Sequence, residues 1–308
     1  MRECRPRGIM FHHFIENEQE NSIGAISPQY FESIILSFSR GSILSAEEWF
    51  ERAVTNSLCE GQVCITLDDA LKSQIDLALP VLEKYDLTAF WFIYSSVFQE
   101  KGNTFEVYRR FYDTSFVSFD HFFEAFLGYI RLSLKPNDIA AARRAFSESD
   151  YLKEFDFYSD NEREYRFFRD RLLGRERYRQ LMQQMLVDRE LTFQELSIGL
   201  WMDNDDLLRL SQDGHIIGLH SYSHPTEFVS MNYEAQLQEY RMNAKHILDV
   251  TGSKPEVVAH PVNSYGAETL EILSAMGIKV GFRSNMVKPN YGPLEHPRED
   301  CVNVTLTR

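Results

Sequence analysis

Cysteine is scarce in this 308-residue sequence: the four present, Cys4, Cys59, Cys64 and Cys301, form no CxxC pair. No disulfide framework is expected from that spacing, and Cys64, inside an apolar strand-like run, reads as a small core hydrophobe. Positive charge is also short, with 32 Lys and Arg against 46 Asp and Glu and a formal net charge of -14. A phosphate-backbone partner needs a clustered basic surface that releases counterions, so no nucleic-acid partner is expected. Small or neutral substrates fit better. No apolar run has the length of a membrane span, and the opening arginines are followed by a few apolar residues broken by His12 and His13, too short for a signal segment. The expectation is a soluble, cytoplasmic protein. What the chain does have is 44% hydrophobic content, enough for a large α/β domain or a domain carrying an insertion.

The order of apolar runs and punctuating residues predicts two blocks of alternating strands and helices. In "SPQYFESIILSFSRG" Ser27 is placed to cap a helix, with Pro28 in its first turn and Gly41 as its stop. Ser45 with Glu48 three residues on has the spacing of a capping box. A strand over 63–67, a helix over 71–85 with Leu71, Ile75, Leu79 and Leu82 on one face, and the aromatic strand "TAFWFIYSS" complete a βαβ unit. The second block runs through "HIIGLHS", "EVVAHP" and "KVGFRS" as strands, separated by helices stopping at Gly214, Gly252 and Gly277. Such repetition implies a mostly parallel sheet covered by helices, open and doubly wound or closed as a barrel. Residues 99–200 lack the alternation and read as a helical insertion, between a first barrel part at 1–98 and a second at 201–308. Its apolar face, Tyr165, Phe168, Leu172, Tyr178, Leu181, Met182, Met185 and Leu186, is expected to pack on the barrel or on a partner subunit of a homo-oligomer.

Chemistry concentrates where apolar strands end. In "CITLDDALKS" a buried strand runs into two adjacent carboxylates, Asp68 and Asp69, whose desolvation requires a cation or hydrogen bonds in compensation. The segment "GLHSYSHP" sets His220 and His224 four apart just beyond another strand, where two imidazoles can converge on one divalent ion or merely cap a helix. In parallel βα architectures the C-terminal strand ends are where functional groups gather, and His260 stands at a third such end. One carboxylate and two imidazoles leave coordination positions open, as in a catalytic zinc-like site. Ser221 after His220 rules out the H-E-x-x-H zincin pattern, and the close H-x-D/E pair of Fe(II) oxygenases is absent. Arg283, at a strand end, is a candidate cation for the acidic pair, with a surface ion pair as its alternative; Tyr265 either lines a binding pocket or packs on Pro261.

These residues resemble the polysaccharide deacetylases of carbohydrate esterase family four. The family's T-F-D-D-G motif is met by "TLDDA" at residues 66–70, and its histidine motif by "DGHIIGLHSYSHP" at 213–225. "IMFHHF" resembles the first strand of the cell-surface sugar branch, with His12 on its histidine; "VVAHPVNSYG" resembles that branch's F-A-Y-P-Y-G segment; "LEHPRED" resembles its late arginine segment, with Arg298 on the last arginine. The resemblance implies a distorted (β/α) barrel of parallel strands with a helical insertion. It implies a divalent metal, zinc, on Asp69, His220 and His224, with Asp68 as general base supported by Arg298, and His12 and Tyr265 toward the substrate. The implied reaction is removal of an N-acyl group, N-acetyl first, from a sugar or glycan in cell-surface polysaccharide or lipopolysaccharide biosynthesis. The chain departs from the pattern at Ala70 and Asn263, each in place of glycine, and at His260 in place of an aromatic residue. The family's D-x-x-D-W and late leucine-histidine motifs are not visible, which leaves the general acid to His260, first, or His12. These departures carry the alternative reading, a degenerate barrel that binds a sugar or protein partner without turnover.

Overall fold

The computed structural model describes residues 5–16, 24–99, 104–153, 158–287 and 290–304. Seven strands, β1 (Arg7–Phe11), β2 (Val63–Asp68), β3 (Phe90–Ile93), β4 (Ile216–Leu219), β5 (Val257–Ala259), β6 (Val280–Phe282) and β7 (Arg298–Asp300), form one sheet in the order β6-β5-β4-β3-β2-β1-β7. Every pairing is parallel. The two edges are drawn together by the chain before β7: His296 bridges Phe282, the Arg283 N–H donates to the His296 carbonyl at 3.0 Å, and two residues later Arg298 pairs with Gly8 of β1. A Cβ at Gly281 would collide with the Leu294 carbonyl, so glycine is what lets this segment lie against β6. The result is the nearly closed, distorted (β/α) barrel that the sequence led us to expect.

Strand alternation sorts the core into two layers. Val63, Ile65 and Leu67 of β2, Trp91 and Ile93 of β3 and Val258 of β5 face the surrounding helices α1 (Pro28–Ser37) and α3 (Leu79–Lys84) and the later helices of the barrel, whereas α2 (Ala46–Val54) packs on the other layer. Cys64, Phe90, Phe92, Val257, Ala259, Val280 and Phe282 form the other layer, inside the sheet, together with Trp49 from α2. The same period sends Thr66 and Asp68 inward after Cys64, which is why the first carboxylate is buried.

Local signals hold with two differences. Ser27 accepts the Tyr30 N–H, and Ser45 accepts that of Glu48, but the Glu48 carboxylate reaches Arg52 at 2.6 Å, so the capping box is half-formed. The helix expected over 71–85 begins as a π-helical turn, Gln74–Ala78, before α3. Pro80 has no N–H to give its fourth preceding carbonyl, and the Leu79 N–H reaches back to Gln74 instead.

The chain divides into two compact units, one built from Met1–Asn17, Ala25–Asn103 and Trp201–Arg308, the other from Glu18–Gly24 and Thr104–Leu200. The regular elements of the second, among the described residues, are all helices: α4 (Thr104–Ser115), α5 (Phe119–Ser133), α6 (Pro136–Ser147), α7 (Asp160–Phe167), α8 (Gly174–Val187) and α9 (Phe193–Ser197), with a π-helical turn before α8. Tyr165 packs edge-on against Phe122 and Phe126, and its hydroxyl lies 2.6 Å from that of Tyr178. The face read as awaiting the barrel or a partner subunit therefore supplies the unit's own core. A π-helical turn, Phe168–Leu173, rotates the register so that Leu173 is buried in place of Leu172. In the barrel unit follow α10 (Asn204–Gln212), α11 (Tyr233–Thr251) and α12 (Ala267–Ala275), and Gly214, Gly252 and Gly277 stand left-handed after them. No helix among the described residues is long and apolar enough to cross a membrane.

Candidate metal centre

Asp68 ends β2 with its side chain inside the barrel, 1% exposed, and what compensates its charge is Arg298 of β7, equally buried. Arg298 Nη1 donates to Asp68 Oδ1 at 2.7 Å and lies 3.4 Å from Thr66 Oγ1, while its Nε donates to the Arg283 carbonyl at 3.1 Å. Burial pushes the Asp68 carboxyl toward protonation, but Arg298, with His220 and His12 adding to it, outweighs that and holds it below its ordinary value. The second oxygen, Oδ2, faces His12 Nε2 at 3.7 Å and His220 Nε2 at 3.9 Å.

Past Asp68 the backbone turns left-handed at two successive non-glycine residues, Asp69 (φ 78) and Ala70 (φ 56). The turn brings Asp69 Oδ1 to 3.5 Å from both His220 Nε2 and His224 Nε2. The His220 Nδ1–H donates to the Ala259 carbonyl at 2.8 Å, which fixes the tautomer and leaves Nε2 as a lone pair. Asp69 Oδ1 is buried with no hydrogen-bond partner, and the three ligand atoms lie within 4.8 Å of one another. Acceptors gathered in this way repel unless a cation sits among them. Zinc bonds of about 2.1 Å at tetrahedral angles place ligand atoms roughly 3.4 Å apart, and the two spacings from Asp69 to the imidazoles, 3.5 Å each, fit such an ion.

The remaining residues singled out from the sequence divide. His12, just past β1, is partly exposed beside Asp68. His260 does not suit the acid role expected of it. Its Nε2–H donates to the Leu294 carbonyl at 2.8 Å, and complete burial, the largest influence on it, lowers its pKa to about 4, so at neutral pH it is an uncharged core imidazole. Tyr265, half-buried, stacks on that imidazole at 4.0 Å, and its hydroxyl donates to Glu295 Oε1 at 2.8 Å. Arg283 serves the acidic pair indirectly, through the carbonyl that orients Arg298.

Two supporting residues escaped the sequence reading. The Gln74 amide donates to the carbonyls of His12 (2.7 Å) and Asp68 (2.6 Å), tying the ends of β1 and β2 together. Asn243 of α11 accepts the His220 N–H at 2.9 Å. The available signal was a polar residue at a position of α11 that buries apolar ones.

Residues 179–281 match the family model for polysaccharide deacetylase, a span that includes His220, His224 and His260 and stops short of Asp68 and Asp69. No curated protein matches the chain. The deacetylase PplD of Streptococcus pyogenes, solved with acetate, has 14% identity over 99% of this chain and 100% of its own, with a TM-score of 0.56. IcaB from Ammonifex degensii has 12% identity over 96% and 91% with a TM-score of 0.54, and the BpsB deacetylase domain from Bordetella bronchiseptica 12% over 96% and 94% with 0.52. At such identities the likeness is one of fold. The family resemblance read from the motifs is thus met by a family match and by the architecture.

Proposed function

We propose that this chain is a carbohydrate N-deacetylase that holds a divalent cation, zinc, on Asp69, His220 and His224. The observation that carries this reading is the convergence of a buried, unpartnered carboxylate oxygen with two imidazole nitrogens, next to a second carboxylate kept ionised by a buried arginine. When bound, the cation supplies Lewis acidity toward an acyl carbonyl and toward water. The two aspartates divide the work. Asp68 cannot easily leave its place, because one oxygen is committed to Arg298, and the other is directed to the site as the acceptor of a proton from water.

Cleavage of the acyl carbon–nitrogen bond by water also requires a proton on the departing amine. We assign that donor to His12, whose Nε2 is beside Asp68 Oδ2 and whose ring is reachable from solvent, in place of the enclosed His260. The substrate class rests on the family match and on the resemblance to the cell-surface sugar branch: an N-acetylated glycan or its soluble precursor. The departures that favoured a barrel without turnover leave the constellation intact, since Ala70 adopts the left-handed turn that a glycine would make there. The test is mass spectrometry of N-acetylated oligosaccharides and nucleotide-sugars treated with chelator-stripped protein, before and after zinc is restored. Loss of one acetyl mass that depends on the cation is expected; no loss from any compound with zinc bound would overturn the reading.

A further inference from the structure

The two imidazoles belong to a loop that needs help to keep its shape. Between them Ser221 (φ 63) is left-handed, as is His224 itself (φ 52), a conformation that residues bearing a Cβ disfavour. The help comes from α11, one turn at a time. Asn243, fully buried, accepts the His220 N–H and donates to the Ile93 carbonyl at 3.0 Å and Ser95 Oγ at 2.7 Å, joining the loops after β3 and β4. Four residues earlier on the same helix face, Glu239 Oε2 accepts the consecutive N–H groups of Tyr222 (2.9 Å) and Ser223 (2.7 Å), and Oε1 accepts the Ser223 hydroxyl at 2.8 Å. His246, three residues beyond Asn243, extends the network from Ser95 Oγ to Asn204 of α10, at 2.9 Å each. A helix covering an apolar barrel has no packing reason to turn this polar stripe inward; every member is instead bonded to the ends of β3 and β4 or to the network behind them.

We propose that Glu239 and Asn243 are positioning residues that hold His220 and His224 at the separation a divalent cation requires. The inference rests on the metal-dependent reading above and adds residues that neither the motifs nor the ligand set contain. Asn243 fixes the first ligand through its own N–H. Glu239 fixes the peptide units between the ligands, so its loss frees Tyr222 and Ser223 to relax and carries His224 off Asp69.

The test is calorimetric titration of zinc chloride into chelator-stripped protein, for the wild type, Glu239→Ala, Glu239→Gln and a control, Glu234→Ala, on an exposed position of the same helix. Glu239→Ala is expected to weaken zinc about 10–100-fold, as loss of supporting groups around metal ligands generally does, and Glu239→Gln, which keeps one accepting oxygen, less. Metal-free melting temperatures should match that of the control, separating positioning from general stability. Should Glu239→Ala fail to fold, Glu239→Gln carries the measurement. Wild-type affinity in a folded Glu239 variant overturns the positioning role alone; a wild type that binds no zinc overturns the metal reading and this inference with it.

Discussion

Asp68 and Arg298 set the charge state on which the proposed chemistry depends. A buried pair of this kind is not chosen for stability, because desolvation of both ions offsets most of their attraction, yet removing one partner strands the other at a cost of about 3–5 kcal/mol. Asp68→Asn is the milder change, as the amide oxygen still accepts from Arg298. It should keep full metal content by elemental analysis while turnover falls about 10²–10⁴-fold, the usual contribution of a general base. Near-normal turnover would make Asp68 structural. Ala70 poses the converse question, whether a left-handed alanine is a defect. Its strain is worth about 1–2 kcal/mol, against about 0.5–1 kcal/mol of backbone entropy for glycine and about 0.8 kcal/mol for a buried methyl group. These nearly cancel. Ala70→Gly should therefore leave the urea midpoint almost where it is, and a large rise in that midpoint would show that the turn stores more strain than this accounting allows.

Elements of the barrel with repeated apolar period and terminal glycines were legible in the sequence: β2 to β6 and α10 to α12 lie close to where the text places them. β7 was not, because "RED" carries no strand signal; its place comes from pairing with β1 and from Arg298 pointing inward, both long-range facts. The convergence of Asp69, His220 and His224 as a candidate site could be read because they lie at strand ends in a recognisable motif. Direction beyond a strand end could not be read, and this is where the acid role given to His260 fails: the β5 loop folds it and Tyr265 onto each other and onto the segment before β7. The difference between these histidines is measurable. His260→Ala should destabilise the fold, since it opens a cavity and leaves the Leu294 carbonyl unpaired, the latter alone costing about 1–3 kcal/mol. It should preserve the shape of the pH–rate profile. His12→Ala should leave the melting temperature nearly unchanged but slow substrates with poor leaving groups far more than activated ones, as loss of a general acid does. The opposite pattern would return the acid to His260.

At the scale of the whole molecule, burial lowers the imidazoles of His215, His260 and His296 to about 4, and that of His246 in the same direction, so protonating them works against the folded state. His215 makes the reason concrete, since its Nδ1 accepts the Ala89 N–H at 3.0 Å and has no place for a proton in the native state. An unfolded chain takes up protons on His215, His260 and His296 below about pH 6.5, their ordinary value, whereas the native chain resists until about pH 4. The unfolded state thus binds more protons throughout that window. The stability they contribute is complete above it and is lost progressively as pH falls across it. Asp68, held low by Arg298, loses its contribution only at more acid pH, below the ordinary carboxylate range, so the two effects separate. His220 shifts upward in the metal-free protein, toward Asp68 and Asp69, and makes the wild-type curve a sum of opposed effects. A single variant isolates one of them. His215→Asn can offer an oxygen to the Ala89 N–H without titrating, so its urea midpoint should decline less than that of the wild type between pH 7 and pH 5, even if it starts lower. Equal slopes for the two proteins across that interval would mean that His215 does not resist protonation in the folded state.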